Sequence, residues 1–291
     1  MRLDKRDAGG PVHFADFGGA GTPVVLLHGL GGSHANWLAV GPALAERAWV
    51  VAPDLPGFGR TPPVGRPSRV YAQRECLHRF LTTVIGRPAV VVGNSMGGLI
   101  AMMEAALQPE SVSGLVLVAP AQPSPRGQRI DREVLITFLL SCIPWVGEWC
   151  VRRRILQLGP EGFVRELLQL LCVDPSRVPD DVRAAHVALA RERITEMPWA
   201  DHAFLEAARS LVVVLGHRRK YDRMVDAIAQ RTLLIQGTRD RLVPLAASQA
   251  LARRRPDWAF EMFEDIGHVP QLEAPSRFAS VVGHWLGRAR A

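Results

Sequence analysis

The chain has 291 residues, 48% of them hydrophobic and 22% charged, a balance that excludes a disordered or fibrous protein. At this length folding buries roughly 75% of the unfolded chain's surface, so no disulfide framework is required. The formal net charge is +7, but 33 of the 35 basic residues are arginines scattered along the chain. The densest runs, Arg152–Arg154 and Arg253–Arg255, carry no interleaved stacking aromatics, so no nucleic-acid partner is expected and the charge reads as a solvated surface.

In chain order, polar and mixed residues from Met1 to Gly10 precede the first apolar run, without the pattern of a secretory signal. Strands are expected at Val12–Phe17, Val24–His28, Trp49–Asp54, Ala89–Asn94, Ser113–Ala119, Thr232–Gln236 and Trp258–Phe263. Several of these, such as Val24-Val25-Leu26-Leu27 and Val90-Val91-Val92, are continuously apolar, as strands of a parallel sheet covered on both faces must be. Helical patterns fall between them, at about Tyr71–Ile85, Gly97–Leu107, Leu245–Arg253 and Ser276–Leu286. The alternation implies an α/β fold built on a mostly parallel, doubly wound sheet.

One region departs from it. After Pro120-Ala121-Gln122-Pro123-Ser124-Pro125 the pattern stays helical and apolar as far as Ala229. Residues 122–229 are therefore expected to form a helical cap on a core made of 1–121 and 230–291, set over the sheet's carboxyl edge where such sheets bind ligands. The most membrane-like stretch, Val134–Gly147, spans fourteen residues against the about twenty a crossing needs, so no stable membrane insertion is expected. Leu135, Phe138, Leu139, Leu140, Ile143, Trp145, Val146 and Trp149 form a dense apolar group. They suit a greasy roof for an acyl chain or ring, or equally the cap's own core. A cytoplasmic location is expected, with monomer and homodimer both open.

The chemistry concentrates at Gly93-Asn94-Ser95-Met96-Gly97, between an apolar strand and a helix. Such a tight turn excludes side chains beside the serine, hence the glycines, and lifts Ser95 to a helix N-terminus where developing negative charge is favoured. Upstream stands His28-Gly29-Leu30-Gly31-Gly32, and downstream Gly267-His268-Val269-Pro270.

With these motifs the chain resembles the α/β-hydrolase superfamily over roughly 12–119 and 231–286. The resemblance implies Ser95 as nucleophile and His268 as its base. Asp240, in Gly237-Thr238-Arg239-Asp240 at a strand tip, is implied as the orienting acid, and the backbone N–H groups of Leu30 and Met96 as oxyanion donors. Asp265 and Glu264 stand too near His268 in sequence to serve as well. His28 is expected to brace its loop, Asp54-Leu55-Pro56-Gly57-Phe58-Gly59 to be a structural turn, and His34, His186, His202 and His217 at most to line a pocket.

The expected function is cofactor-free, metal-free hydrolysis of an ester, lactone or thioester of a small hydrophobic molecule through an acyl-enzyme. Epoxide hydrolases and haloalkane dehalogenases of this fold carry aspartate where Ser95 stands. The elbow, with asparagine before serine, is also similar to that of meta-cleavage-product C–C hydrolases, yet those follow the histidine with tryptophan and this chain has Val269. Cap arginines such as Arg183 or Arg191 would suit a carboxylated substrate of that kind. A non-enzymatic ligand-binding protein on the same fold is the remaining alternative.

Overall fold

The computed structural model describes residues 1–125 and 146–287. An eight-stranded sheet runs through the molecule: β1 (Arg2–Asp7), β2 (Pro11–Gly18), β3 (Pro23–Leu27), β4 (Trp49–Pro53), β5 (Ala89–Asn94), β6 (Val112–Val118), β7 (Thr232–Gly237) and β8 (Ala259–Phe263). Their spatial order is β1-β2-β4-β3-β5-β6-β7-β8. Only the pairings of β2 with β1 and β4 are antiparallel; from β4 to β8 every neighbour is parallel.

The continuous apolar strands have the reason expected of them. Val25, Leu27, Val91, Leu115 and Leu117 point to one face, where they are buried with Leu77, Phe80, Leu99 and Met102. Those four belong to helices α2 (Val70–Phe80) and α3 (Met96–Leu107), which follow the short α1 (Gly41–Ala45). Val24, Leu26, Val90, Val92, Val116 and Val118 point to the other face, buried with Trp37, Leu44, Phe278, Val282 and Trp285. Alternate residues thus enter two different cores, and a polar residue would be costly on either side.

Two elements differ from expectation. The polar segment Arg2–Asp7 is an edge strand, almost wholly exposed and paired only with β2. With no apolar face its sequence carries no period-2 signal, and its backbone pairing decides the structure. The helix expected to reach Ile85 regularly ends at Phe80 and continues as a π-helical turn, Leu81–Ile85, closed by Gly86 at φ 72°. Gly86 supplies the left-handed residue that such a helix end favours.

Between β6 and β7 the described chain is helical. It comprises α4 (Val146–Leu171), broken at Gly159-Pro160, α5 (Asp180–Glu196), α6 (Ala200–Gly216) and α7 (Arg218–Ala227). Side-chain ties fasten these helices to the sheet's loops. Arg60 donates to both carboxylate oxygens of Glu192 at 2.8 and 2.6 Å. Glu206 accepts from the Ser68 backbone at 2.7 Å, and the Ser210 hydroxyl from the Val70 backbone at 3.0 Å, so α6 caps the start of α2. The chain then returns through β7, α8 (Leu245–Arg254), β8, the short α9 (Pro270–Glu273) and α10 (Pro275–Gly287). Leu135, Phe138, Leu139, Leu140, Ile143 and Trp145 lie outside the described residues, as do the side chains of Val146 and Trp149. No helix among the described residues is long and apolar enough to cross a membrane.

Candidate active site

Because β3, β5, β6, β7 and β8 run parallel, the loops leaving their carboxyl ends share one edge. Ser95 follows β5 directly. Its φ of 55° and ψ of −118° place a non-glycine residue in strained backbone just before α3. The turn holds because its neighbours are glycines. A Cβ on Gly93 would lie 2.4 Å from the Gly97 carbonyl oxygen, and one on Gly97 would lie 2.6 Å from those of Leu27 and His28. Ser95 N–H donates to Val118 at 2.9 Å and its carbonyl accepts from Ala121 at 2.9 Å, which pins the elbow to the end of β6. The Met96 N–H opens α3, where backbone donors have no partner within the helix.

The β3 loop comes against this serine. A Cβ on Gly29 would stand 3.1 Å from the Ser95 Cβ, so Gly29 passes close over the elbow. His28 braces that loop as expected. Its Nδ1 lies 2.8 Å from the Gly29 carbonyl, and its Nε2 accepts the Leu55 N–H at 3.0 Å, which assigns the proton to Nδ1. Burial lowers the pKa of His28, in keeping with a neutral ring used at both nitrogens.

His268 Nδ1 lies 2.8 Å from Asp240 Oδ2, with both side chains almost completely buried. Asp240 is held by three further donors: Leu242 and Val243 N–H at 2.8 and 2.9 Å on Oδ1, and Gln236 Nε2 at 2.9 Å on Oδ2. The carboxylate's lone pairs are therefore spoken for, and its orientation toward the imidazole is fixed. Asp265 is exposed and paired with Arg177 and Arg239, with no hydrogen bond to His268 among those described.

Three further side chains support the site, one of them, Asp54, in the turn expected to be structural. Asn94 is buried and its amide donates to the carbonyls of Val118 and His268, each at 3.1 Å. Glu273 is buried and accepts N–H groups from Val173, Asp174 and Gly267 at 2.8–2.9 Å, tying α4's end and α9 to the His268 loop. Asp54 is buried and accepts the His34 and Arg60 N–H groups at 2.6 and 2.9 Å and His34 Nδ1 at 3.0 Å. Burial alone would raise the Asp54 carboxyl's pKa, but the His34 hydrogen bond and charge more than offset it and hold it low. In sequence, a glutamate or aspartate in a Gly/Pro-rich turn carries no mark of which backbone amides it will meet.

Of the other histidines, His202, His217 and His284 are exposed. Arg183 pairs with Asp180 and Arg191 with Glu161, both at the surface. Among the described residues no group of three or more His, Cys, Asp or Glu could hold a metal ion. Cys76 and Cys172 are free and buried, their thiols pushed up by burial to about 11 and about 12.

A covered, mostly parallel sheet with an N-terminal antiparallel pair and a strained serine between strand and helix defines the α/β-hydrolase class. A model of the alpha/beta hydrolase family matches residues 24–281, and the chain belongs to that family. It is 30% identical over 287 residues to 2-hydroxymuconate semialdehyde hydrolase of a Pseudomonas species, covering 94% of this chain and 89% of that one. It is 27% identical over 272 residues to pimeloyl-[acyl-carrier protein] methyl ester esterase of Aeromonas hydrophila, covering 92% and 97%. A putative lipase from Acinetobacter baumannii superposes with a TM-score of 0.78 at 20% identity, covering 99% of this chain and 92% of that one. A meta-cleavage product hydrolase from Pseudomonas fluorescens IP01 superposes with a TM-score of 0.73 at 24% identity, covering 99% and 98%.

Proposed function

We propose that the protein is a serine hydrolase of carboxylic esters, lactones or thioesters with hydrophobic acyl or alcohol groups. The observation that carries this is the strained Ser95 at the mouth of α3 together with the buried His268–Asp240 pair at 2.8 Å. In this reading Ser95 Oγ attacks the substrate carbonyl and its proton passes to His268 Nε2. The Asp240 carboxylate holds Nδ1–H and stabilises the imidazolium. The N–H groups of Leu30 and Met96 receive the oxyanion, and His268 returns its proton to the leaving group. A water deprotonated by His268 then releases the acyl group from Ser95.

The helices between β6 and β7 act as a cap over this edge, within the proposed boundaries 122–229. Phe204 of α6 supports that role: a Cβ on Gly31 would lie 3.1 Å from its ring, so α6 covers the oxyanion loop. A fluorophosphonate probe tests the reading. It should label Ser95 alone, and Ser95→Ala should lose labelling and ester turnover, the latter by roughly 10⁴–10⁶-fold. Labelling at another serine, or turnover surviving in the variant, would overturn it.

Hydrolytic C–C cleavage is the second reading, favoured by the 30% identity to an enzyme named 2-hydroxymuconate semialdehyde hydrolase. The same Ser95 and His268 would serve it. Two observations weigh toward esters. Asn94, the residue shared with such elbows, has its amide engaged by two backbone carbonyls. Arg183 and Arg191, the candidates for a substrate carboxylate, are neutralised by carboxylates of their own.

A further inference from the structure

Helix α5 places Val182, His186 and Ala190 on one face by their spacing of four. Val182 and Ala190 are buried in one apolar cluster with Val269 and Leu272, just after His268, and the half-buried Leu38 and Ala39, just after the 3-10 turn His34–Trp37, pack against it. His186 therefore sits between the loop that carries His268 and the turn that follows the oxyanion loop. The residue as a whole is half-buried, but its Nε2 is buried and has no hydrogen-bond partner. Burial, with His34 nearby adding to it, pushes the imidazole down to about 4, so at neutral pH the ring is uncharged. Asp54 holds His34 by Nδ1, leaving that ring's Nε2 as its second polar atom.

Buried polar atoms in folded proteins are nearly all paired, and an orphaned one between the His268 segment and the His34 turn calls for a missing partner. We propose that His186 is a specificity-determining residue whose ring nitrogen anchors a hydroxyl group of the substrate. This rests on the serine-hydrolase reading above and narrows it to hydroxylated esters. A neutral imidazole offers one N–H and one lone pair, and a hydroxyl both donates and accepts, so it satisfies whichever tautomer is present. A carboxylate could accept the same N–H, but its charge would be buried beside an uncharged ring, which is costly. A site arranged to bind a hydroxyl discriminates strongly against the analogue that lacks it.

The test compares methyl butyrate, methyl 3-hydroxybutyrate and 2-hydroxyethyl butyrate, each rate divided by that ester's alkaline hydrolysis rate. Wild type is expected to favour at least one hydroxylated ester by about tenfold or more in kcat/KM, carried mainly by KM. His186→Phe should bring that ratio near one, and His186→Gln, whose amide also donates and accepts, should restore part of it. His186→Leu serves if the phenylalanine variant does not fold. A wild type without preference, a preference that survives both apolar variants, or equal losses on all three esters would overturn the proposal. Failure of the underlying reading looks different: wild type would turn over none of the esters, or Ser95→Ala would still turn them over.

Discussion

The side-chain amide of Asn94 donates to the backbone carbonyl of His268 at 3.1 Å, joining residues 174 positions apart in sequence. The residue before the serine thus holds the main chain of the proposed base, and the same amide grips Val118 at the end of β6. Elbow, β6 and histidine loop are locked in one register by a single NH₂ group.

Asn94→Ala would leave two buried carbonyls without this donor, a loss of about 1–3 kcal/mol. The expected result is a lower unfolding midpoint and a kcat reduced about tenfold or more, since misplacing the base affects the chemical step. Thermal denaturation and ester kinetics on one preparation check both. Unchanged kcat with a lowered midpoint would confine Asn94 to stability.

Asp240→Asn is expected to fold and to lose most of kcat, on the order of 10⁴-fold. Every partner of the carboxylate is a donor: Leu242, Val243, Gln236 and, in the catalytic tautomer, His268 Nδ1. An amide in that place turns an NH₂ toward one of them, most damagingly toward the imidazole, and favours the wrong tautomer. Asp265→Asn, at the exposed ion pairs with Arg177 and Arg239, should cost far less. The reverse ranking would reassign the acid.

Acid should destabilise the fold before its carboxylates protonate. Burial lowers His28 and His13 below 6.5 and His186 to about 4, so between 6.5 and those folded values the unfolded chain binds more protons. Stability rises with pH in that window and is lost as pH falls through it from 6.5 toward 4. Asp54, held low in the folded state, adds a further loss only below its ordinary value of 3.8. Unfolding midpoints measured from pH 7.5 to 4.5 should drop by several degrees, and less steeply in His186→Gln. A flat profile would contradict these burials.

The sequence made legible what rests on local pattern. Two-sided apolar strands and the Gly93–Ser95–Gly97 turn announce themselves within a few residues, whereas Asp240 and His268 stand out only through the resemblance to the family. What escaped depends on partners distant in sequence. β1 has no apolar face, and only its pairing with β2 makes it a strand. Glu273 reads as a turn glutamate, yet it gathers N–H groups from residues 173 and 174, about a hundred positions away. His186 reads, like His202, at most as a pocket-lining residue, and only the packing of α5 against the Val269 segment distinguishes it from His202 on the surface.

Ester cleavage is expected to exceed cleavage of vinylogous 1,5-diketone acids by a wide margin in kcat/KM. The proposed triad does not separate the two reactions, because both can use Ser95 and His268. The separation must come from groups that hold the dienoate and promote its ketonisation before the C–C bond breaks. The segment after His268 supplies Val269, which is buried in an apolar cluster with Val182, Leu168 and Leu272. Arg193 is the better-buried arginine of α5, but one of its nitrogens is held by Asp201 at 2.9 Å, so its charge is already met. A dianionic dienoate would have to compete with that carboxylate for the cation, and an uncharged ester would not. Both substrate classes assayed on one enzyme preparation decide it, and faster dienoate cleavage would show that the substrate displaces Asp201 from Arg193 or binds elsewhere.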